Sequence, residues 1–129
     1  MTIVIGSLIL AALMPMLVKT PLGYLQSKQP GGYDNHNPRQ QQAALTGMGQ
    51  RAVAAHNNAF EAFPPFATGV LLALWAQAPV EQMQMLCIVH VVARIGHAIF
   101  YLADLSTLRS LSWAVGLGSS IYLMCLALP

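Results

Sequence analysis

Charge is what this sequence has least of. Six Lys or Arg and four Asp or Glu make up 8% of its 129 residues, against about a quarter in an ordinary soluble domain. So few charges cannot solvate the surface of a globule this size. The cations are also scattered, and the net charge is only +2. That excludes the basic footprint of a nucleic-acid-binding protein, and no nucleic-acid partner is expected. Cysteine is nearly as scarce. Cys87 and Cys125 lie in apolar runs without CxxC spacing, which reads as two buried thiols, with no metal site and no redox pair. The first apolar run has no basic stretch before it and no small-residue cleavage site after it, where Lys19-Thr20-Pro21 stands. It reads as a retained helix, not a signal peptide.

Apolar residues are what the sequence has in plenty, at 56%. They gather in four segments: Ile3 to Val18, the stretch after Phe60 to about Ala78, Met83 to Leu105, and Leu108 to Leu128. A bilayer core takes about 20 residues of helix. The last two segments meet that length directly. The first does so if it runs on through Leu22. The second does so only if its helix starts upstream, near Thr46, which draws Arg51, His56, Asn57, Asn58 and Glu61 into or beside the membrane. The sequence therefore predicts an all-α, integral membrane four-helix bundle, a single domain over residues 1–129.

The polar stretch from Gln26 to Gln42 holds Pro30-Gly31-Gly32 and Asn37-Pro38. An Asn followed by Pro marks a helix start, so a loop to Asn37 and a helix from Pro38 onward are expected. Pro64-Pro65 should kink that helix. Short connections near 76–82 and 104–107 make the flanking helices antiparallel. Lys19, Lys28 and Arg39 flank the first loop and Arg109 the third, while neither terminus carries Lys or Arg. The positive-inside rule then puts loops one and three in the cytoplasm and both termini outside.

Ionisable side chains inside a spanning helix are costly and face a bundle interior or a cavity. His90, Arg94, His97, Tyr101 and Asp104 fall on one stripe roughly 80° wide at helical periodicity. Five polar groups on one seam exceed what packing requires, although hydrogen bonding between helices is the plainer alternative. Arg51, Asn58 and Glu61 share a face of the preceding segment, also within roughly 80°. Arg51 and Glu61 admit a second reading, as a structural ion pair with Arg94. His56 points away from that face, which fits a hydrogen bond to another helix better than catalysis. Ser112, Gly116 and Ser120 recur every fourth residue and predict close helix packing, a subunit interface included. Trp75 and Trp113 read as interfacial anchors.

The run Arg51-Ala-Val-Ala-Ala-His-Asn-Asn-Ala-Phe-Glu61, continuing to Phe66, resembles the second-helix signature of the MAPEG proteins, the membrane-associated proteins of eicosanoid and glutathione metabolism. The run Arg94-Ile-Gly-His97-Ala-Ile-Phe-Tyr101, with Leu108-Arg109-Ser110 beyond it, is similar to the third-helix signature of the same family. The likeness spans about Gln50 to the end. The segment Gly32 to Arg39 and Tyr101 to Asp104 resemble a bacterial branch, which implies the inner membrane. The resemblance implies a homotrimer that binds glutathione between subunits near the cytoplasmic side. Asn58 and Glu61 match its glutathione-binding positions, as do Arg94, His97 and Tyr101, and Arg51 joins them as a candidate on the same face. Arg109 matches the arginine assigned to thiol activation. The implied activity is a glutathione-dependent transferase or peroxidase acting on small hydrophobic electrophiles that arrive through the lipid.

That chemistry is coherent with the residue types. A guanidinium holds a carboxylate through two parallel bonds, Glu61 suits an amine, and a cation beside a thiol populates the thiolate. The sequence also departs from the eicosanoid enzymes, with Ala54 where they have arginine and Trp113 where a tyrosine stacks the ligand. These departures leave fewer cations for two carboxylates. They favour the alternative, a non-catalytic membrane protein that binds lipid or a partner at its subunit interface.

Overall fold

The structure, a computed structural model, describes residues 1–129. It is wholly helical: α1 (Thr2–Ser27), α2 (Pro38–Ala43), α3 (Met48–Trp75), α4 (Val80–Leu102) and α5 (Ser106–Cys125). The four long helices pack side by side, α4 on α5, and α3 against α1, α4 and α5.

The core is apolar, but the exterior is apolar as well, and several ionisable side chains are buried. Ile3, Ile9, Leu13, Val92, Ile99 and Val115 lie on the outside, while His56, His90, Arg94, His97 and Ser120 are buried. Lipid is the solvent that such a surface matches, and the chain is a membrane protein. Two helices, α1 and α4, are long and apolar enough to cross a bilayer by length and composition. Polar residues hold α3 and α5 below that measure: α3 carries Arg51, His56, Asn57, Asn58 and Glu61 in its first half, and α5 is rich in Ser and Gly.

Several boundaries differ from the sequence expectation, each for a local reason. The first helix runs on to Ser27, past both Pro15 and Pro21. Each proline removes a backbone donor and crowds the preceding turn, and packing on α3 carries the helix through. The helix from Pro38 breaks after Ala43 and restarts at Met48, because Gly47 takes a φ of +56°, a left-handed conformation that suits glycine. Between α1 and α3 the chain is held by side-chain amides. Gln26, fully buried, donates to Pro38 O at 3.1 Å, and Gln41 donates to Gly32 O at 2.7 Å. α3 remains one helix through Pro64 and Pro65. α4 ends at Leu102, so Asp104 leaves the stripe and sits in the turn at φ +62°. Cys87 is buried as expected, but Cys125, the last residue of α5, is exposed.

Three of the inter-helix contacts share one chemistry. The Nδ1 of His56 lies 2.9 Å from Pro15 O, that of His90 3.0 Å from Gly116 O, and that of His97 3.0 Å from Arg109 O. A carbonyl oxygen only accepts, so each Nδ1 carries the proton. These bonds tie α3 to α1 and α4 to α5. His56 thus has the helix-bridging role its position on the wheel implied. The small residues of α5 face α4 of the same protomer. A Cβ on Gly116 would lie 3.2 Å from Arg94 Cδ, and one on Gly96 3.5 Å from Ser112 Oγ.

Candidate functional site

A cavity of about 190 Å³ opens where α3, α4 and α5 meet. Asn58 and Glu61 reach it from α3, His90 and Arg94 from α4, and Trp113 from α5. Helical periodicity explains the gathering. Asn58 and Glu61 are three residues apart, and His90 and Arg94 four, so each pair occupies adjacent turns of one face. Small neighbours make the room, since Ala62 and Gly116 also line the cavity.

Hydrogen bonds fix its polar wall. Arg94 Nη2 donates to Asn58 Oδ1 at 2.6 Å, short as befits a charged donor. Asn58 Nδ2 in turn donates to Glu61 Oε2 at 3.1 Å. One amide thus joins a buried cation to an exposed anion, with the guanidinium and carboxylate bridged by the amide and not directly paired. Below them the His90 ring stacks on Phe66, centroids 3.8 Å apart and planes within 5°.

A second cluster lies nearer the turn between α4 and α5. The guanidinium of Arg109 sits 4.6 Å from the centre of the Tyr101 ring, a cation–π distance. Tyr101 meets His97 edge to face at 5.4 Å, and His97 returns to α5 through Arg109 O. The residues singled out from sequence therefore separate into two groups: Asn58, Glu61 and Arg94 around the cavity, and His97, Tyr101 and Arg109 beyond it. Arg51 joins neither. Its Nη1 pairs with Asp104 Oδ2 at 3.3 Å, so it serves the α4–α5 turn and not the cavity. Trp113, on α5, lines the cavity, while Trp75 is exposed at the end of α3. His90 was visible on the stripe, and its partners Gly116 and Ser120 on the four-residue repeat of α5, but nothing in the sequence paired the two.

A model of the MAPEG family matches residues 3–129. The chain belongs to the MAPEG family. No curated protein and no solved structure matches it. Family membership thus rests on essentially the full length of the chain, with both clusters inside the matched span. This MAPEG protein keeps a cation, an anion and an aromatic ring around one cavity, a set that suits a ligand bearing both signs of charge and an apolar part.

Proposed function

We propose that this MAPEG protein is a glutathione-dependent membrane transferase or peroxidase acting on hydrophobic electrophiles. The observation that carries the reading is the Arg94–Asn58–Glu61 bridge on the cavity wall. Glutathione has carboxylates for Arg94, an amine for Glu61 and a thiol for the Arg109 cluster. The exposed apolar faces on all four long helices support four spans, with loops one and three cytoplasmic and both termini outside. Glu61 is exposed in a single protomer although it lies midway along α3. Lipid does not satisfy a carboxylate there, which supports a homotrimer whose neighbouring copy covers the open side. Trimers are expected in native mass spectrometry from mild detergents, and monomer alone in every detergent would end the assembly argument. A cysteine placed at Asn35 should be labelled only from the cytoplasmic side; labelling from outside would reverse the orientation.

Calorimetry of the detergent-purified protein with glutathione tests the reading directly. Saturable binding is expected in wild type, weakened about tenfold or more by Arg94→Gln, because the loss of a charged hydrogen-bond donor costs at least about 1.5 kcal/mol. The pairing of Arg51 with Asp104 leaves the cavity a single arginine, and this favours the second reading, a non-catalytic lipid- or partner-binding protein. Absence of heat with glutathione would decide for that reading.

A further inference from the structure

Arg94 is 5% exposed, yet its Nε–H has no partner in the protein. Its Nη2 is taken by Asn58, and the Nε–H of the same guanidinium stays buried and unpaired. Such a group is costly to leave unpaired. Behind it lies a second, far smaller cavity of about 10 Å³, walled by α1, α3 and α4. His90 and Arg94 are its only polar lining residues, among Ala11, Met14, Ala59 and Phe63. The volume is close to the least that holds one water, and a buried water needs at least two polar partners.

His90 supplies the second partner. It is 2% exposed and lines both cavities. All its hydrogen bonds run through Nδ1, to Gly116 O at 3.0 Å and to the Ser120 and Ser119 hydroxyls at 3.1 and 3.5 Å. With the proton on Nδ1, Nε2 carries a lone pair and is an acceptor. Arg94 is one helical turn further along the same face. Arg94, with a buried donor that lacks a partner, and His90, with a free acceptor nitrogen, thus border one water-sized space.

We propose that a water in this space accepts from Arg94 Nε–H and donates to His90 Nε2, making His90 the positioning residue for the Arg94 guanidinium. The Gly116 carbonyl fixes the His90 tautomer, His90 orients the water, and the water holds the plane of the guanidinium. Arg94 then presents Nη2 to Asn58, and Asn58 presents its amide to Glu61. The bland alternative, a histidine that only ties α4 to α5, accounts for Nδ1 but leaves the Arg94 Nε–H unexplained. The bridge itself is independent of any ligand; its consequence for binding rests on the glutathione reading above.

Intact protein labelled with ¹⁵N arginine and histidine tests the bridge by NMR in detergent. The expected spectrum has an Arg94 Nε–H resonance with cross-relaxation to a water, and His90 protonated on Nδ1. His90→Phe keeps the ring on Phe66 but removes the acceptor, so the Arg94 Nε–H should shift and exchange faster. His90→Gln, whose amide oxygen reaches the Nε2 position, should restore the wild-type signal. A His90 proton on Nε2, or an Arg94 Nε–H without water contact in wild type, overturns the bridge whether or not the variants fold. Glutathione affinity should fall about tenfold in His90→Phe and recover in His90→Gln; equal affinity in all three overturns the positioning role. If wild type binds no glutathione, the functional reading fails while the arginine spectrum still decides the bridge.

Discussion

Gly69→Ala is expected to destabilise the protein by about 2 kcal/mol, and Gly69→Leu to leave no folded protein at all. Gly69 is buried where α3 crosses α5. A Cβ built there lies 2.7 Å from Ser120 O and 2.9 Å from Leu123 Cβ. The first of these is backbone of α5, which cannot swing aside as a side chain can. Relief requires α5 to move as a body, and that displaces Ser120 from His90 and Gly116 from Arg94. Dispersion and close approach are the principal attractions between helices in lipid, so the loss is not made up by hydrophobic burial elsewhere. Gly118 is the internal control. It is a helical glycine too, in α5, but nothing lies within 4 Å of its added Cβ. Thermal unfolding monitored by size-exclusion chromatography should therefore rank wild type and Gly118→Ala together, with Gly69→Ala several degrees below. Equal midpoints for the two alanine variants would show that the α3–α5 crossing is looser than described.

Gly69 also marks where the sequence stopped being informative. A lone glycine in an apolar run has no period and no partner signal, so nothing distinguished it from Gly118. The Arg94 stripe was legible for the opposite reason. Polar residues are so costly in an apolar helix that three- and four-residue spacing alone picks out the inward face. Asn58 and Glu61 came from the same logic on α3, and they do lie opposite Arg94. The same periodicity misread Asp104, because hydropathy continues through Leu105 while the helix stops at Leu102 and the aspartate turns back to Arg51. Arg51 shares its helical face with Asn58 but stands two turns away, and a wheel projection discards that axial distance. The amide bonds of Gln26 and Gln41 that shape the first loop left no trace, since single glutamines in a polar stretch look like solvated surface.

Arg109→Ala should lower turnover of a generic aryl halide with glutathione about 100-fold or more at neutral pH, the usual range for deleting one electrostatic stabiliser of a reacting anion. Arg109 lies half-buried in the first turn of α5, its guanidinium held over the Tyr101 ring and its carbonyl accepting a hydrogen bond from His97 Nδ1. A guanidinium so fixed supplies a positive charge that does not depend on a proton donor nearby. A free thiol ionises near 8.5, and each unit by which a neighbouring cation lowers that value corresponds to about 1.4 kcal/mol in favour of the thiolate. The sign sets a pH signature. The cation's advantage is largest below the free thiol's value and vanishes above it, where glutathione ionises unaided. The variant's rate should therefore climb between about pH 7 and 9 while the wild-type rate stays nearly flat. The ultraviolet absorbance of bound thiolate should follow the same two curves. Backbone bonding by His97 survives the substitution, because it uses the carbonyl of residue 109, so size-exclusion behaviour should be unchanged. A rate deficit that persists undiminished at high pH would mean that Arg109 binds the peptide or holds the helix end, and does not activate the thiol.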